Sequence, residues 1–459
     1  MKAIVVGAGI LGYQVAKRLS EEDHDVVVVD AREAQLRRVE EFLDVGAVLG
    51  QGSSPAVLAD AGLDGADMIV AVTGSDETNI VACLIAETLS PRTTRLARLR
   101  DPAYRGTGGL IDKSSLHIDM MISPEEEVAK SVGLLADIPG SSDVLEFAGG
   151  RVKVVGVRIG PECPLLGKEL RELRALQDER IARFLVAGVY RREMVNVPSM
   201  DMPILEGDTL FLVATAESVR PVVTRLGKNW VRTRHVMIAG GGRTGALIAA
   251  RLAARGIHVK LIEEDPGVCE ALAKELDDVV VLNGEGIDQS LLVEEGIQRV
   301  DLFVSAVEDD EDNVFTALVA KRLGAGRVVC LVDTPAYMPF ASTSGIDVVL
   351  SPMLTALGPI LQFIRQGRVL SVGTLREELV EGIEFVAVEG SDIVELPLEA
   401  VHMPKGSLVG AIVRGEEIVI PDASSVIEPG DRVILFSRPQ LLPRLQRLIA
   451  AGQPEAASD

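Results

Sequence analysis

Short apolar segments alternate with amphipathic segments along the chain, and this alternation occurs twice. The apolar segments have the length of buried strands, and helical periodicity fills the intervals between them. Strands that alternate with helices are typical of a doubly wound parallel sheet, so the pattern predicts two Rossmann-like domains of the α/β class. The predicted strands are Ala3–Val6, Val26–Val29 and Met68–Val72 in the first half and Val236–Ala239, Val259–Ile262 and Leu302–Ala306 in the second.

The pattern changes after each predicted parallel sheet. Short β-rich segments, such as RVKVVGVRI in the first half and GDRVILFS in the second, are separated by turn residues rather than by long helices. We therefore expect a small α+β domain after each Rossmann-like domain. The tripeptides EGD at 206–208 and PGD at 429–431 are interpreted as hairpin turns rather than as catalytic acids. The predicted domain limits are 1–140, 141–227, 234–366 and 367–450.

The two halves of the chain are copies of one another. KAIVVGAGILGYQVAKRL in the first half matches HVMIAGGGRTGALIAARL in the second, and ARLRDPAY is followed later by CLVDTPAY. Repetition over such a length predicts that both halves share one architecture. The alignment pairs Gly7, Gly9, Gly12 and Asp30 with Gly240, Gly242, Gly245 and Glu263.

Each glycine triplet follows a predicted strand and opens a predicted helix, which is the setting of a dinucleotide-binding turn. The first glycine permits a tight turn, the second lets a pyrophosphate approach the backbone, and the third lets the helix pack on the strand. Asp30 ends the next strand, where a carboxylate can accept hydrogen bonds from an adenosine ribose. This position favours NAD or an adenine nucleotide over NADP. A purely structural role of the glycines is the alternative.

Three further residues are candidates for the same crevice. Thr73 and Asn79 follow the fourth strand of the first copy and are expected to face a ligand across the carboxyl ends of the strands, although helix capping is the alternative. Arg98 could reach a phosphate from the opposite side, and an ion-paired or solvated arginine is its alternative. The second copy has Leu331 at the position of Arg98, so its site is expected to bind differently, weakly or not at all.

Composition narrows the classes of function. With 46 Lys and Arg against 68 Asp and Glu, the formal charge of -22 argues against a nucleic-acid partner. The four cysteines are scattered and the five histidines show no metal spacing, so neither a metal site nor a catalytic group is expected. No apolar segment is long enough to span a bilayer. An NAD-dependent oxidoreductase is the enzymatic alternative to a protein that only binds its nucleotide.

Several longer motifs carry a family resemblance. VLGQGSSPAVLADAG, AVTGSDETNIVAC and ARLRDPAY, followed by a second set, resemble the TrkA family of Trk-system potassium uptake proteins, which contain tandem RCK units. The resemblance implies that ligand contacts come from both glycine turns and the residues aligned with them. These are Gly7, Ala8, Gly9, Ile10, Leu11, Gly12, Asp30, Thr73, Asn79 and Arg98 in the first copy, and Gly240, Gly242, Arg243, Thr244, Gly245 and Glu263 in the second.

The same resemblance implies a function without chemical turnover. It implies a cytoplasmic regulatory subunit, peripheral at the inner face of the membrane, that binds NAD(H) or ATP/ADP and gates potassium uptake. Its implied partners are further copies of itself, in a tetramer, and a membrane-embedded potassium transporter subunit of the TrkH or TrkG kind. An RCK-type regulator of another cation channel or antiporter shares all these local features and is the second alternative.

Overall fold

The computed structural model describes residues 1–104, 116–174, 184–192, 194–365, 369–375 and 380–450. Within these residues the strands form four sheets that follow one another along the chain. The strands are β1 Lys2–Val6, β2 Asp25–Asp30, β3 Gly46–Leu49, β4 Met68–Ala71, β5 Thr94–Arg98, β6 Met120–Ile122, β7 Asp143–Phe147, β8 Val152–Arg158, β9 Phe184–Arg191, β10 Met194–Asn196, β11 Thr209–Thr215, β12 His235–Ala239, β13 His258–Glu263, β14 Val279–Asn283, β15 Leu302–Ser305, β16 Val328–Leu331, β17 Val348–Leu350, β18 Val369–Leu375, β19 Val380–Val386, β20 Ser407–Arg414, β21 Glu417–Val419 and β22 Arg432–Ser437.

The first and third sheets have the same topology. Their strand orders are β3-β2-β1-β4-β5-β6 and β14-β13-β12-β15-β16-β17, and the strands within them pair in parallel. In both sheets the order reverses beside the first strand, which is where open α/β sheets bind ligands at the carboxyl ends of their strands. The prediction of two doubly wound parallel sheets is confirmed.

The second and fourth sheets are antiparallel and also correspond to one another. Their strand orders are β10-β9-β11-β8-β7 and β18-β19-β22-β20-β21. The two sheets have the same topology, as is seen when the second order is read from its last strand to its first. Asp208 and Asp431 end their tight turns and each accepts two hydrogen bonds from an arginine, Arg191 and Arg414 respectively. These acids therefore hold turns together. The predicted turns are present, but the prediction of hairpins was wrong, because β11 and β22 do not pair with the strands that precede them, β10 and β21.

Helices connect the parallel strands and cover both faces of each parallel sheet, and further helices follow the sheets. The α-helices are Ile10–Glu21, Glu33–Phe42, Pro55–Asp60, Asp76–Leu89, Pro124–Asp137, Leu170–Arg174, Ala216–Arg225, Arg243–Ala253, Pro266–Glu275, Gln289–Glu294, Asp310–Arg322, Met338–Thr343, Pro352–Thr355, Leu357–Ile364 and Leu442–Ile449. In the part of the chain that is described, no helix combines the length and apolar character needed to cross a membrane.

Two helices exchange places between the copies. The first bridging helix, Pro124–Asp137, leaves the first parallel sheet and packs on helix Arg243–Ala253 of the second copy. The second bridging helix, Leu357–Ile364, packs in return on helix Ile10–Glu21 of the first copy. Each bridging helix shares one apolar core with the helix that it covers. The glycine-turn helix of each copy is therefore buried by the other copy.

The ends of the exchanged segments carry opposite charges. Asp137, at the end of the first bridging helix, pairs with Arg255 of the second copy. Arg365, just after the second bridging helix, pairs with Glu22 of the first copy and with Glu381 of the fourth sheet. If each helix lay on its own copy, Asp137 would face Glu22 and Arg365 would face Arg255. The charges therefore favour the exchanged arrangement over the alternative one.

The two antiparallel sheets meet through a separate apolar core. Phe147 and Phe211 of the first small domain and Phe436 of the second are buried in it. The rings of Phe147 and Phe436 meet edge to face, with centroids 6.0 Å apart and planes at 86°, a favourable geometry for aromatic pairs. Together with the exchanged helices, this core joins the halves into one body.

Candidate functional site

The first glycine turn has the geometry that its spacing predicts. Gly7 has φ +105°, and a Cβ there would lie 3.0 Å from the backbone nitrogen of Thr73. A Cβ on Gly12 would lie 1.8 Å from the carbonyl oxygen of Gly7. Both glycines are therefore required by the packing of strand, turn and helix.

Gly9 differs from its two neighbours in the motif. Its φ is -66°, an ordinary value for any residue, and among the described residues no atom lies within 4 Å of an added Cβ. Packing does not explain a glycine here, whereas the close approach of a ligand to the backbone would.

Helix Ile10–Glu21 begins beside this open space. Gly9 supplies no side-chain cap, and the first turn carries no acidic residue. The first N–H groups of a helix have no intrahelical partner, and the helix dipole makes this end attractive to anions. Ile10 and Leu11 line the cavity in front of the turn. The arrangement is suited to a phosphate group.

Asp30 is buried next to the turn. Its Oδ2 accepts a hydrogen bond from the Ala8 N–H at 2.7 Å, and its Oδ1 accepts one from the Arg32 N–H at 2.8 Å. Each carboxylate oxygen can accept a further hydrogen bond. Asp30 therefore fixes the turn and can still accept hydrogen bonds from hydroxyl groups of a ligand.

Thr73 and Asn79 have different places at the end of β4. Thr73 lines the cavity. The Asn79 side chain is fully buried, accepts hydrogen bonds from the Thr73 N–H and Oγ1, and donates from Nδ2 to the Arg98 carbonyl oxygen at 2.8 Å. In this arrangement Asn79 positions Thr73 and Arg98 and does not itself face the cavity.

The cavity has a volume of about 500 Å³, within the range of small-molecule sites. It extends along the carboxyl ends of the strands, from Asp30 on β2 past the glycine turn to Arg98 on β5. Three strand spacings separate β2 from β5, so the two ends are about 14 Å apart.

The second copy contributes to this same cavity. Asp333, which follows β16, and Met353 both line it. Neither residue could be predicted from the sequence, because the packing of the two copies on each other is not encoded in local periodicity. The alignment of ARLRDPAY with CLVDTPAY does place Asp333 opposite Arg100, and this change of charge was the available signal.

Charges of both signs meet at the Arg98 end of the cavity. Arg98 is buried, and its Nη2 lies 3.4 Å from Oε1 of Glu125 on the first bridging helix. Burial lowers the pKa of Arg98, and Glu125 opposes this effect. Burial, together with the nearby Asp310 carboxylate, raises the pKa of Asp333 to about 6. Among the described residues, Arg98 Nε and Asp333 Oδ1 are buried without a hydrogen-bond partner.

The second glycine turn repeats the first in detail. Gly240 has φ +103°, and a Cβ on Gly245 would lie 1.9 Å from the Gly240 carbonyl oxygen. Gly242 has no described atom within 4 Å of an added Cβ. Glu263 accepts a hydrogen bond from the Gly241 N–H at 2.7 Å, as Asp30 does from Ala8.

The surroundings of the second turn are nevertheless different. Arg243 and Thr244, at the start of its helix, line a cleft of about 450 Å³ together with Arg100, Asp76 and Glu77 of the first copy. Leu331 ends β16 where Arg98 ends β5, so the second copy lacks that cation, as predicted. The two sites share one backbone design and differ in charge.

The described residues contain no group of three metal-binding side chains. The buried thiols of Cys83 and Cys330 have pKa values raised to about 12 by burial, so they are protonated at neutral pH. His235 and His258 stack on each other at the start of their strands, away from the carboxyl ends.

Comparison with known families agrees with the duplicated architecture. The model of the TrkA-N domain matches residues 3–124 and 236–352, and the model of the TrkA-C domain matches residues 154–227 and 383–450. The chain belongs to the TrkA family. Both small antiparallel domains are therefore TrkA-C domains, and both parallel domains are TrkA-N domains.

Relatives in the TrkA family match nearly the whole chain. The Trk system potassium uptake protein TrkA of Halomonas elongata is 37% identical over 439 residues, which cover 95% of each chain. The protein of the same name from Haemophilus influenzae is 36% identical over 461 residues, which cover 99% of each chain. The tandem arrangement is thus shared with relatives of similar length.

Solved structures confirm the fold. The GsuK RCK domain has a TM-score of 0.59 at 20% identity, with 98% of this chain and 95% of that chain covered. The GsuK channel bound to NAD has a TM-score of 0.58 at 21% identity, with coverages of 98% and 79%. The chain therefore shares the fold of the GsuK RCK domain.

Proposed function

We propose that this protein is a regulatory subunit of a potassium uptake system and that it binds an adenine nucleotide, NAD(H) or ATP/ADP, in the cavity of the first copy. The observation that carries the proposal is the open space at Gly9, which lies between a helix N-terminus and the Asp30 carboxylate. The TrkA names of its relatives and the NAD-bound GsuK channel support it.

Regulation follows from the position of this cavity between the copies. Asp333 and Met353 of the second copy line a cavity whose glycine turn belongs to the first. A ligand that contacts both copies stabilises the relative arrangement in which those contacts form, and it shifts the equilibrium only by its differential affinity for the two arrangements. Such a mechanism needs no catalytic residue, so we propose binding without turnover.

We further propose that the protein is cytoplasmic and acts at the inner face of the membrane. In this proposal it forms a homo-oligomer, a tetramer, on a membrane-embedded potassium transporter subunit of the TrkH or TrkG kind. Arg98 and the residues of the glycine turns are proposed as ligand contacts, and Asn79 as the residue that positions Thr73 and Arg98.

A matched pair of substitutions tests the binding site. Gly9→Asp puts a carboxylate where the phosphates are expected, and Gly242→Asp makes the same change in the second copy. Both positions have an ordinary φ and open space, and Asp is a favoured N-cap, so both variants are expected to fold. Calorimetric titration with NADH, ADP and ATP should show binding to the wild type and to Gly242→Asp, and its loss in Gly9→Asp.

Two outcomes contradict the proposal. Absence of binding to the wild-type chain would leave the glycine turns structural. Steady consumption of NADH by the purified protein would favour an oxidoreductase over a regulator. Potassium uptake by cells that lack their own regulatory subunit provides the functional measurement, because wild type should restore uptake and Gly9→Asp should restore it without response to the nucleotide.

A further inference from the structure

The strongest unexplained feature of the first cavity is a carboxylate from the other copy. Asp333 follows β16 of the second parallel sheet, yet it lines the cavity that contains Gly9 and Asp30. Its backbone N–H is held at 2.8 Å by Oδ1 of Asp310, so the residue has a fixed position. Its Oδ1 is buried without a hydrogen-bond partner among the described residues. A buried carboxylate oxygen left in this state needs an explanation, and a ligand donor supplies one.

The place of Asp333 along the cavity determines which part of a ligand it meets. With the ribose held by Asp30 and the phosphates at the start of helix Ile10–Glu21, the third part of a bound nucleotide extends toward Arg98 and Asp333. In a triphosphate that part is the terminal phosphate. In a dinucleotide it is a second nucleoside, which carries hydroxyl and carboxamide groups.

The charges at this end do not favour a terminal phosphate. Glu125 already lies within 3.4 Å of Arg98 and offsets its positive charge. Asp333 and Asp310 add two more carboxylates nearby. Burial is the largest cause of the raised pKa of Asp333; Asp310 raises it further, and Arg98 lowers it. A phosphate would be repelled by Asp333, whereas a hydroxyl or amide donor would satisfy its unpaired oxygen.

We propose that Asp333, contributed by the second copy, sets the ligand preference of the first site by disfavouring a terminal phosphate and accepting a hydrogen bond from the neutral end of a dinucleotide. This inference rests on the proposed function, because it requires that a nucleotide binds in the first cavity. In this proposal the second copy is a part of the first site, so a first copy without the second would no longer discriminate between a terminal phosphate and the neutral end of a dinucleotide.

The test compares substitutions in the full-length chain. Asp333→Asn removes the charge and keeps the shape, Asp333→Glu keeps the charge, and Asp277→Asn removes an exposed carboxylate elsewhere in the second copy. Affinities for NAD, ADP and ATP are measured by calorimetry for each variant. Asp333→Asn should strengthen ATP binding about tenfold relative to NAD. Asp277→Asn and Asp333→Glu should keep the ratio of the wild type.

The outcomes separate the two proposals. If the wild-type chain binds none of the three nucleotides, the proposed function and this inference fail together. If the nucleotides bind and Asp333→Asn changes the ratio of ATP to NAD affinity no more than Asp277→Asn does, only the role of Asp333 is overturned. A general weakening of all three ligands by Asp333→Asn, with the ratio unchanged, also overturns it, because that result describes a structural role.

Discussion

Replacement of Arg365 by methionine tests the contact that holds the exchanged segments together. The Arg365 side chain is 5% exposed, and its partners Glu22 and Glu381 are 4% and 0% exposed. Arg365→Met fills a similar volume but leaves two buried carboxylates without their cation. Removing one partner of a buried ion pair costs about 3–5 kcal/mol, and Glu381 has a second oxygen, Oε2, already without a partner among the described residues. We therefore expect a loss at the upper end of that range.

The corresponding pair in the other half provides the control. Arg255 and Asp137 are 36% and 44% exposed, so water screens them, and Arg255→Met should cost only about 1 kcal/mol. Urea unfolding followed by circular dichroism measures both losses.

A triple variant separates charge from shape at the same site. Replacement of Arg365 by Met together with Glu22→Gln and Glu381→Gln removes every charge and should recover most of the lost stability. The reasoning would be refuted if Arg365→Met cost no more than Arg255→Met. It would equally be refuted if the triple variant were as unstable as the single one.

Two further predictions concern the glycine turn and the titration of the cavity. Gly12→Ala should lower the free energy of unfolding by about 3 kcal/mol or more, because its Cβ would overlap the Gly7 carbonyl oxygen. Gly9→Ala should change the free energy of unfolding by no more than about 0.5 kcal/mol, because its Cβ meets open space. Thermal unfolding measures both variants. Equal losses in the two variants would contradict the packing argument. The raised pKa of Asp333, about 6 in the fold, means that its favourable contribution is complete only at acidic pH and is lost as pH rises through 6. Asp333→Asn should therefore unfold at a higher temperature than the wild type at neutral pH, and this difference in unfolding temperature should disappear toward pH 4. A difference that stays constant with pH would show that the charge of Asp333 does not cause it.

Local patterns predicted the repeated parts of this structure well. The β1, β2, β4 and β12, β13, β15 strands lie within about one residue of their predicted limits, because a buried parallel strand is a continuous apolar segment. The edge strands β3 and β14 were not predicted, since half-buried residues such as Ala47 and exposed ones such as Val280 do not give that signal. The domain limits 1–140, 141–227, 234–366 and 367–450 stay predictions, and Gly367 lies outside the described residues.

The sequence predicted only those residues of the site that belong to the first copy. The glycines and Asp30 follow from backbone geometry that recurs wherever a strand meets a helix across such a turn. Asn79 was predicted as a ligand contact, but the structure buries its side chain beneath the cavity. Asp333 and Met353 could not be placed, because their positions depend on how the two copies pack together.

The exchange of helices between copies has a consequence for how the protein can diverge. In a symmetric dimer of identical chains, every substitution appears at both sites at once, so the sites cannot specialise. Here both partners are parts of one polypeptide, and Arg100 and Asp333 occupy matching positions with opposite charges. Arg100 lines the cleft beside the second glycine turn, where it pairs with Asp76 of its own copy, whereas Asp333 lines the cavity of the first glycine turn. Because covalent duplication removes the requirement that the two sites be identical, each site can acquire its own residues and charge.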